Sequence, residues 1–298
     1  MDSSAPYTGL RLLFHSIAVT LVAMLILAFA NKLLLQQTGL AVPVAASTTP
    51  SFADRMNLRW LLLGNNFLLY AVPAGLALYL TYGKRWVRMA GFVSPVKGQV
   101  LPAGGAFVAF LPVVAAAAYL NLQLELPTWM AQKESASGAL LASVLHIAST
   151  PELLMTLFTV AVVPGISEEL FFRGLLQGRL LPYVAAPHAA IWIAAFLFSA
   201  IHFQFAGFFP RLLLGAALGY TFRWTQSLWV PVFLHMLFNA IQVLVAHVSG
   251  TGPLEGERES VGTSDFFIVL VSLLIVGYLF LRCERFLAAR SATGQESR

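Results

Sequence analysis

Polar positions along this chain are separated by apolar runs of about twenty residues, the length an α-helix needs to cross a hydrocarbon core of ~30 Å. About eight such runs stand out: Leu10–Leu35, Leu58–Tyr82, Val100–Leu120, Ala139–Pro164, Ala186–Phe205, Phe209–Trp224, Leu228–His247 and Phe266–Leu281. The fourth is broken at Ser149-Thr150-Pro151-Glu152, a helix-start pattern with Thr150 as cap and Pro151 at the first helical position. The pattern therefore predicts a helix from Pro151 past Gly165 to Leu180. Ala139–Ala148 becomes a short preceding helix, re-entrant or interfacial. The expected fold is all-α, a polytopic transmembrane bundle.

Composition narrows the class further. Only 10% of the 298 residues are charged and 58% are apolar, whereas a soluble domain carries about a quarter charged residues. The run from Leu12 to Ala30 is longer than a signal-peptide core and is expected to be a retained first span. A single cysteine, Cys283, excludes an intrachain disulfide and a cysteine-built metal site. The net charge of +5 comes from scattered Lys and Arg, mostly near the ends of the runs. That distribution fixes topology and gives no patch for nucleic acid.

Loop charges orient the bundle. Lys84, Arg85, Arg88 and Lys97 follow the second run, and Arg282, Arg285, Arg290 and Arg298 follow the last. An even number of spans places both termini on the side of the 83–99 loop, expected to be cytoplasmic. Arg11, Arg179 and Arg223 agree, whereas Arg211 falls on the opposite side. The 36–57 segment and the Gly250–Ser264 segment, with Glu255, Glu257 and Glu259, are expected to be loops. The chain divides into an N-terminal part (1–150), a core (151–248) and a last helix with a basic tail (249–298). Short loops and the lack of organelle signals point to a bacterial plasma membrane.

Charged side chains within hydrocarbon are costly, which makes them functional candidates by default. Three clusters interrupt the apolar pattern of the core: Glu168-Glu169 with Arg173, Phe198 with His202, and His235 with Asn239. Glu169 and Arg173, four apart with the acid first, are spaced for an ion pair on one helix face. Glu168 then points about 100° away. His235 and Asn239 share a face, and the Phe198 ring lies one turn before His202. Each cluster alone is equally readable as a structural feature: an interfacial ion pair, a packed histidine, an inter-helix amide. All three on separate helices of one bundle make convergence on a site the better reading. His15, His146, His188 and His247 lack such neighbours and are read as structural or interfacial.

In order and spacing the three clusters resemble the CPBP intramembrane proteases, the family of the CAAX prenyl endopeptidases and the bacterial Abi group. Its pattern is E-E-x-x-x-R, F-x-x-x-H and H-x-x-x-N/D, and the resemblance covers about Pro151–Val248. It implies a catalytic core in spans four to seven. It also implies that Glu168 is the general base for a water and that His202 holds this water. His235 and Asn239 would stabilise the oxyanion, and Glu169, Arg173 and Phe198 would support the site. Burial makes a carboxylate more basic, which suits the first role, and donors fixed on a helix suit the last. One departure from the family is Phe205, near where many bacterial members carry Asn after the second-motif histidine.

The implied substrate is a peptide bond in a membrane-associated protein or peptide, lipidated or not, entering from the cytoplasmic side. If the site held zinc, Glu168, His202 and His235 would be its ligands. The chain lacks H-E-x-x-H, and using Glu168 as a ligand leaves no base, so a metal-free glutamate mechanism is preferred. The rival reading is a non-enzymatic scaffold or bacteriocin-immunity protein in which the polar clusters only tie helices together. A transporter would show related halves, and none are visible.

Overall fold

The computed structural model describes residues 5–39, 50–249 and 263–293, which form nine helices and no strand. These are α1 (Ala5–Thr38), α2 (Phe52–Met89), α3 (Val100–Leu122), α4 (Thr128–Leu145), α5 (Thr150–Tyr183), α6 (Pro187–Ala200), α7 (Phe208–Thr225), α8 (Trp229–Ser249) and α9 (Thr263–Ala292). Six of them, α1, α2, α3, α5, α8 and α9, are long and apolar enough to cross a membrane. This is an integral membrane protein. The fifth and sixth expected spans correspond to α6, a shorter apolar helix, and α7, which carries Arg211 and Arg223 near its ends. The broken fourth run does hold a helix start, one residue earlier than expected: Ser149 occupies the cap position without a side-chain bond, Thr150 is the first helical residue and Pro151 lies in the first turn. The preceding helix, α4, is longer than expected and begins at Thr128. Residues 40–49, 250–262 and Arg298 lie outside the described residues, whereas 36–38, 52–57 and 263–264, expected to be loop, belong to α1, α2 and α9.

α5 is central, packed against α2, α6 and α8, while α7 packs on α6 and α3, and α9 covers α3. Ion pairs and capping contacts identify the two ends of the bundle. Arg11 donates to the carbonyls of Leu80 and Thr81, so the start of α1 lies beside the end of the α2 transmembrane stretch. Arg179 at the end of α5 donates to Met89, and Arg223 at the end of α7 pairs with Glu284 of α9. The amide of Val96 donates to Thr225. The basic ends of α2, α5, α7 and α9 therefore share one side with the start of α1, as the loop charges require. At the other end, Arg55 and Arg59 of α2 converge on Glu152 of α5 at 2.8 and 2.9 Å. Arg59 also donates to the carbonyls of Val144 and His146, which ties the end of α4 to both helices.

Candidate active site

The site begins with a close helix crossing. A Cβ on Gly165 of α5 would meet the backbone N and Cα of Met236 at 3.1 and 3.3 Å, so only a bare residue permits this approach. One turn further along α5, Glu168 and Glu169 stand beside His235 of α8. The i,i+4 pair read from the sequence is present: Arg173 Nη1 lies 2.6 Å from Glu169 Oε1, with both side chains fully buried. Arg173 is held further by the Gly215 carbonyl at 2.7 Å and by the Phe198 ring, 5.0 Å from its guanidinium carbon. Glu169 has a second partner that the helical spacing did not suggest, since Nδ1 of His235 donates to the same oxygen at 2.8 Å.

Glu168 turns away from this pair, as the geometry of one helix requires. Its Oε1 accepts from Asn66 Nδ2 of α2 at 2.7 Å, and its Oε2 lies 3.9 Å from Nε2 of His235. The Ser167 hydroxyl lies within hydrogen-bond reach of two acceptors, Asn66 Oδ1 and the Val163 carbonyl, which share its single hydrogen. His202 follows the end of α6, and its Nδ1 donates to the Phe198 carbonyl at 2.6 Å, leaving Nε2 as the acceptor in the neutral ring. The Phe198 ring stands edge-on to His202 and His235, at 5.1 and 5.9 Å between centroids. Asn239 donates from Nδ2 to the Val160 carbonyl at 3.1 Å. That carbonyl belongs to a wider-wound stretch of α5, Leu157–Val162, after which the amide of Val163 reaches back five residues to Phe158. Such π-type turns expose carbonyls to outside donors and recur at functional sites.

Glu168, Phe198, His202, His235 and Asn239 all line one cavity of about 390 Å³. Its walls also include Asn66, Glu134, Gln204 and Arg211, and it runs from mid-bundle towards the end where α4 and the 201–207 loop lie. Glu134 of α4 accepts from the amides of Phe205 and Ala206 at 2.7 and 3.2 Å, and Asn121 of α3 donates to the Phe205 carbonyl. Phe205 contributes its backbone to this clamp and its ring to Trp129. Four of these residues were not among the sequence candidates. Asn66 had a signal, an amide inside an apolar run. Arg211 was noticed only as the exception to the loop charges, while Glu134 and Gln204 gave no signal of a role.

As a zinc site the arrangement does not fit. Among the described residues, no group of three or more His, Cys, Asp or Glu side chains is gathered as a metal requires. Glu168, His202 and His235 share the cavity wall without forming a ligand set.

Residues 134–241 match the family model described as "Type II CAAX prenyl endopeptidase Rce1-like". The chain is similar to that family over this stretch, about a third of its length. The matched residues include every residue of the three clusters, as well as Glu134, Gln204 and Arg211; Asn66 lies outside them. Two proteins of Bacillus subtilis strain 168 are similar. YpbD is 30% identical over 91 residues, which is 28% of this chain and 43% of the relative. YdiL, described as a "putative membrane peptidase", is 30% identical over 89 residues, or 28% of this chain and 34% of the relative. The matched part therefore spans less than half the length of these curated relatives. No solved structure matches the chain.

Proposed function

We propose that this chain is an intramembrane endopeptidase of the CAAX-protease type, hydrolysing a peptide bond of a membrane-associated protein or peptide. The observation that carries this reading is the cavity onto which Glu168, His202, His235 and Asn239 converge from two helices and a turn. A scaffold role would be satisfied by side chains bonded only to one another. Here Oε2 of Glu168 and Nε2 of both histidines remain directed at open volume, where water and substrate have room.

Each group then has a task. Glu168, steadied through Oε1 by Asn66, takes a proton from a water with its other oxygen. His202 holds that water through the Nε2 lone pair left by its bond to Phe198. His235, fixed in orientation by its bond to Glu169, presents Nε2 to the cavity where the oxyanion would form. Asn239 offers its second amide hydrogen. The water oxygen bonds to the scissile carbon, the C–N bond breaks, and the proton on Glu168 passes to the departing amine.

The cavity lies towards the end of the bundle opposite the basic segments. With those segments and both termini on the cytoplasmic side, the substrate chain reaches the site from the far half of the bilayer, not from the cytoplasm as first expected. The decisive experiment compares membrane peptides by mass spectrometry in cells carrying the wild-type chain and its Glu168→Gln variant. Fragments present only with the wild type support hydrolysis. Identical peptide profiles, with the variant inserted at equal level, overturn it in favour of the scaffold.

A further inference from the structure

We infer that Arg211 is a specificity residue that anchors a carboxylate of the substrate beside the reacting bond. This rests on the endopeptidase reading and adds to it what the cavity selects. Arg211 stands in the first turn of α7 and lines the same cavity as Glu168 and His235. Its guanidinium donates to two neutral oxygens of one neighbour, Gln204 Oε1 at 2.6 Å and the Gln204 carbonyl at 3.3 Å. The three most deeply buried arginines, Arg55, Arg59 and Arg173, each have a glutamate within ion-pair distance. Among the described residues none lies within that distance of Arg211, and the cavity acids Glu134 and Glu168 act on it only from further away. A cation in a cavity enclosed by apolar helices calls for an anion.

Two further observations favour a visiting anion over a purely structural arginine. A cation in the first turn of a helix opposes the helix dipole, and α7 has no acid there to offset it. The amides of this corner are already engaged, those of Phe205 and Ala206 by Glu134 and that of Phe209 by Asn121 Oδ1. An arriving anion is therefore met by the guanidinium itself. A planar carboxylate fits that fork, whether it is the end of the substrate chain or an Asp or Glu side chain near the cut.

The test separates these sources and does not depend on turnover. Three fluorescent hydrophobic peptides of equal length are titrated into the Glu168→Gln protein in detergent. One ends in a free carboxylate, one in a carboxamide, and one in a carboxamide with an internal Asp. The carboxylate peptides, or one of them, should bind roughly tenfold to a hundredfold tighter than the plain amide, the range a charge-assisted hydrogen bond supplies. Adding Arg211→Gln should erase that preference while leaving amide binding unchanged, and Arg211→Lys should restore part of it. Equal affinities for all three peptides, no binding of any, or a preference that survives Arg211→Gln overturns the assignment. An absence of Glu168-dependent fragments in cells would instead defeat the endopeptidase reading, and the binding preference would still judge Arg211.

Discussion

Nδ1 of His235 lies 2.8 Å from Oε1 of Glu169, an oxygen that Arg173 also binds at 2.6 Å. One carboxylate thus serves both as the counter-charge of a buried guanidinium and as the orienting partner of the imidazole that faces Glu168. The second acid of the E-E pair is part of the site through His235 and not only a helix brace.

Replacing Glu169 by Gln should therefore have two separable effects. Arg173 loses its counter-charge, and breaking a buried pair costs about 3–5 kcal/mol, visible as a lower unfolding temperature in detergent. The imidazole loses its anchor, so kcat of the surviving folded protein should fall with KM nearly unchanged. His235→Gln should lower kcat by about 10²–10³, the usual cost of losing an oxyanion donor, with a smaller stability loss. If both variants matched the wild type in kcat, His235 would have no part in the chemistry.

Asn66 offers a test on a different helix. It holds only one oxygen of Glu168, so Asn66→Ala leaves the base present but unsteadied. The expected loss in kcat is roughly tenfold to a hundredfold, in line with about 1–3 kcal/mol for an unsatisfied buried partner. Asn66→Asp should be worse than Asn66→Ala, since it sets a second carboxylate against Glu168. The order of the two variants, read from single-turnover rates, decides whether this contact positions the base.

Much of this arrangement was legible in the chain, for definite reasons. The helices follow from apolar run length, and the start of α5 from Thr150-Pro151. The Glu169–Arg173 pair and the divergence of Glu168 follow from helical periodicity alone. Convergence was expected from the three clusters, but not how His202, near the outer end of the run Ala186–Phe205, meets His235, near the opposite end of the run Leu228–His247. Only the ending of α6 at Ala200 and the turn after it bring His202 into the shared cavity. The bond from Asn239 to Val160 was likewise hidden, since it depends on a π-type turn of α5 that no side-chain pattern announces. The Arg55–Glu152 pair was hidden too, since its partners lie 97 residues apart in the chain.

Metal dependence follows from how the acids and imidazoles are arranged. Among the described residues, Glu168, His202 and His235 line one cavity without gathering into a set of three ligands. Dialysis of the purified protein against a strong zinc chelator should leave both the hydrolysis rate and the unfolding temperature unchanged. Activity lost on chelation and regained with one equivalent of zinc would show that these side chains regroup around a metal.

The two carboxylate clusters at opposite ends of the bundle should differ sharply in weight. Glu152 is 1% exposed and shared by Arg55 and Arg59, at 9% and 0%, so neither charge has water as an alternative partner. Glu152→Gln leaves two guanidiniums facing one neutral amide and loosens the tie from α2 to the end of α4. Its expected cost is about 3–5 kcal/mol. The Arg223–Glu284 pair joins α7 to α9 with side chains 25% and 22% exposed, and water can replace either partner. Glu284→Gln should cost only about 0–1 kcal/mol beyond its bond to Trp224, and less at high salt. Thermal unfolding of both variants in one detergent ranks them directly. Equal shifts would mean that Glu152 is no more essential to the bundle than a surface pair.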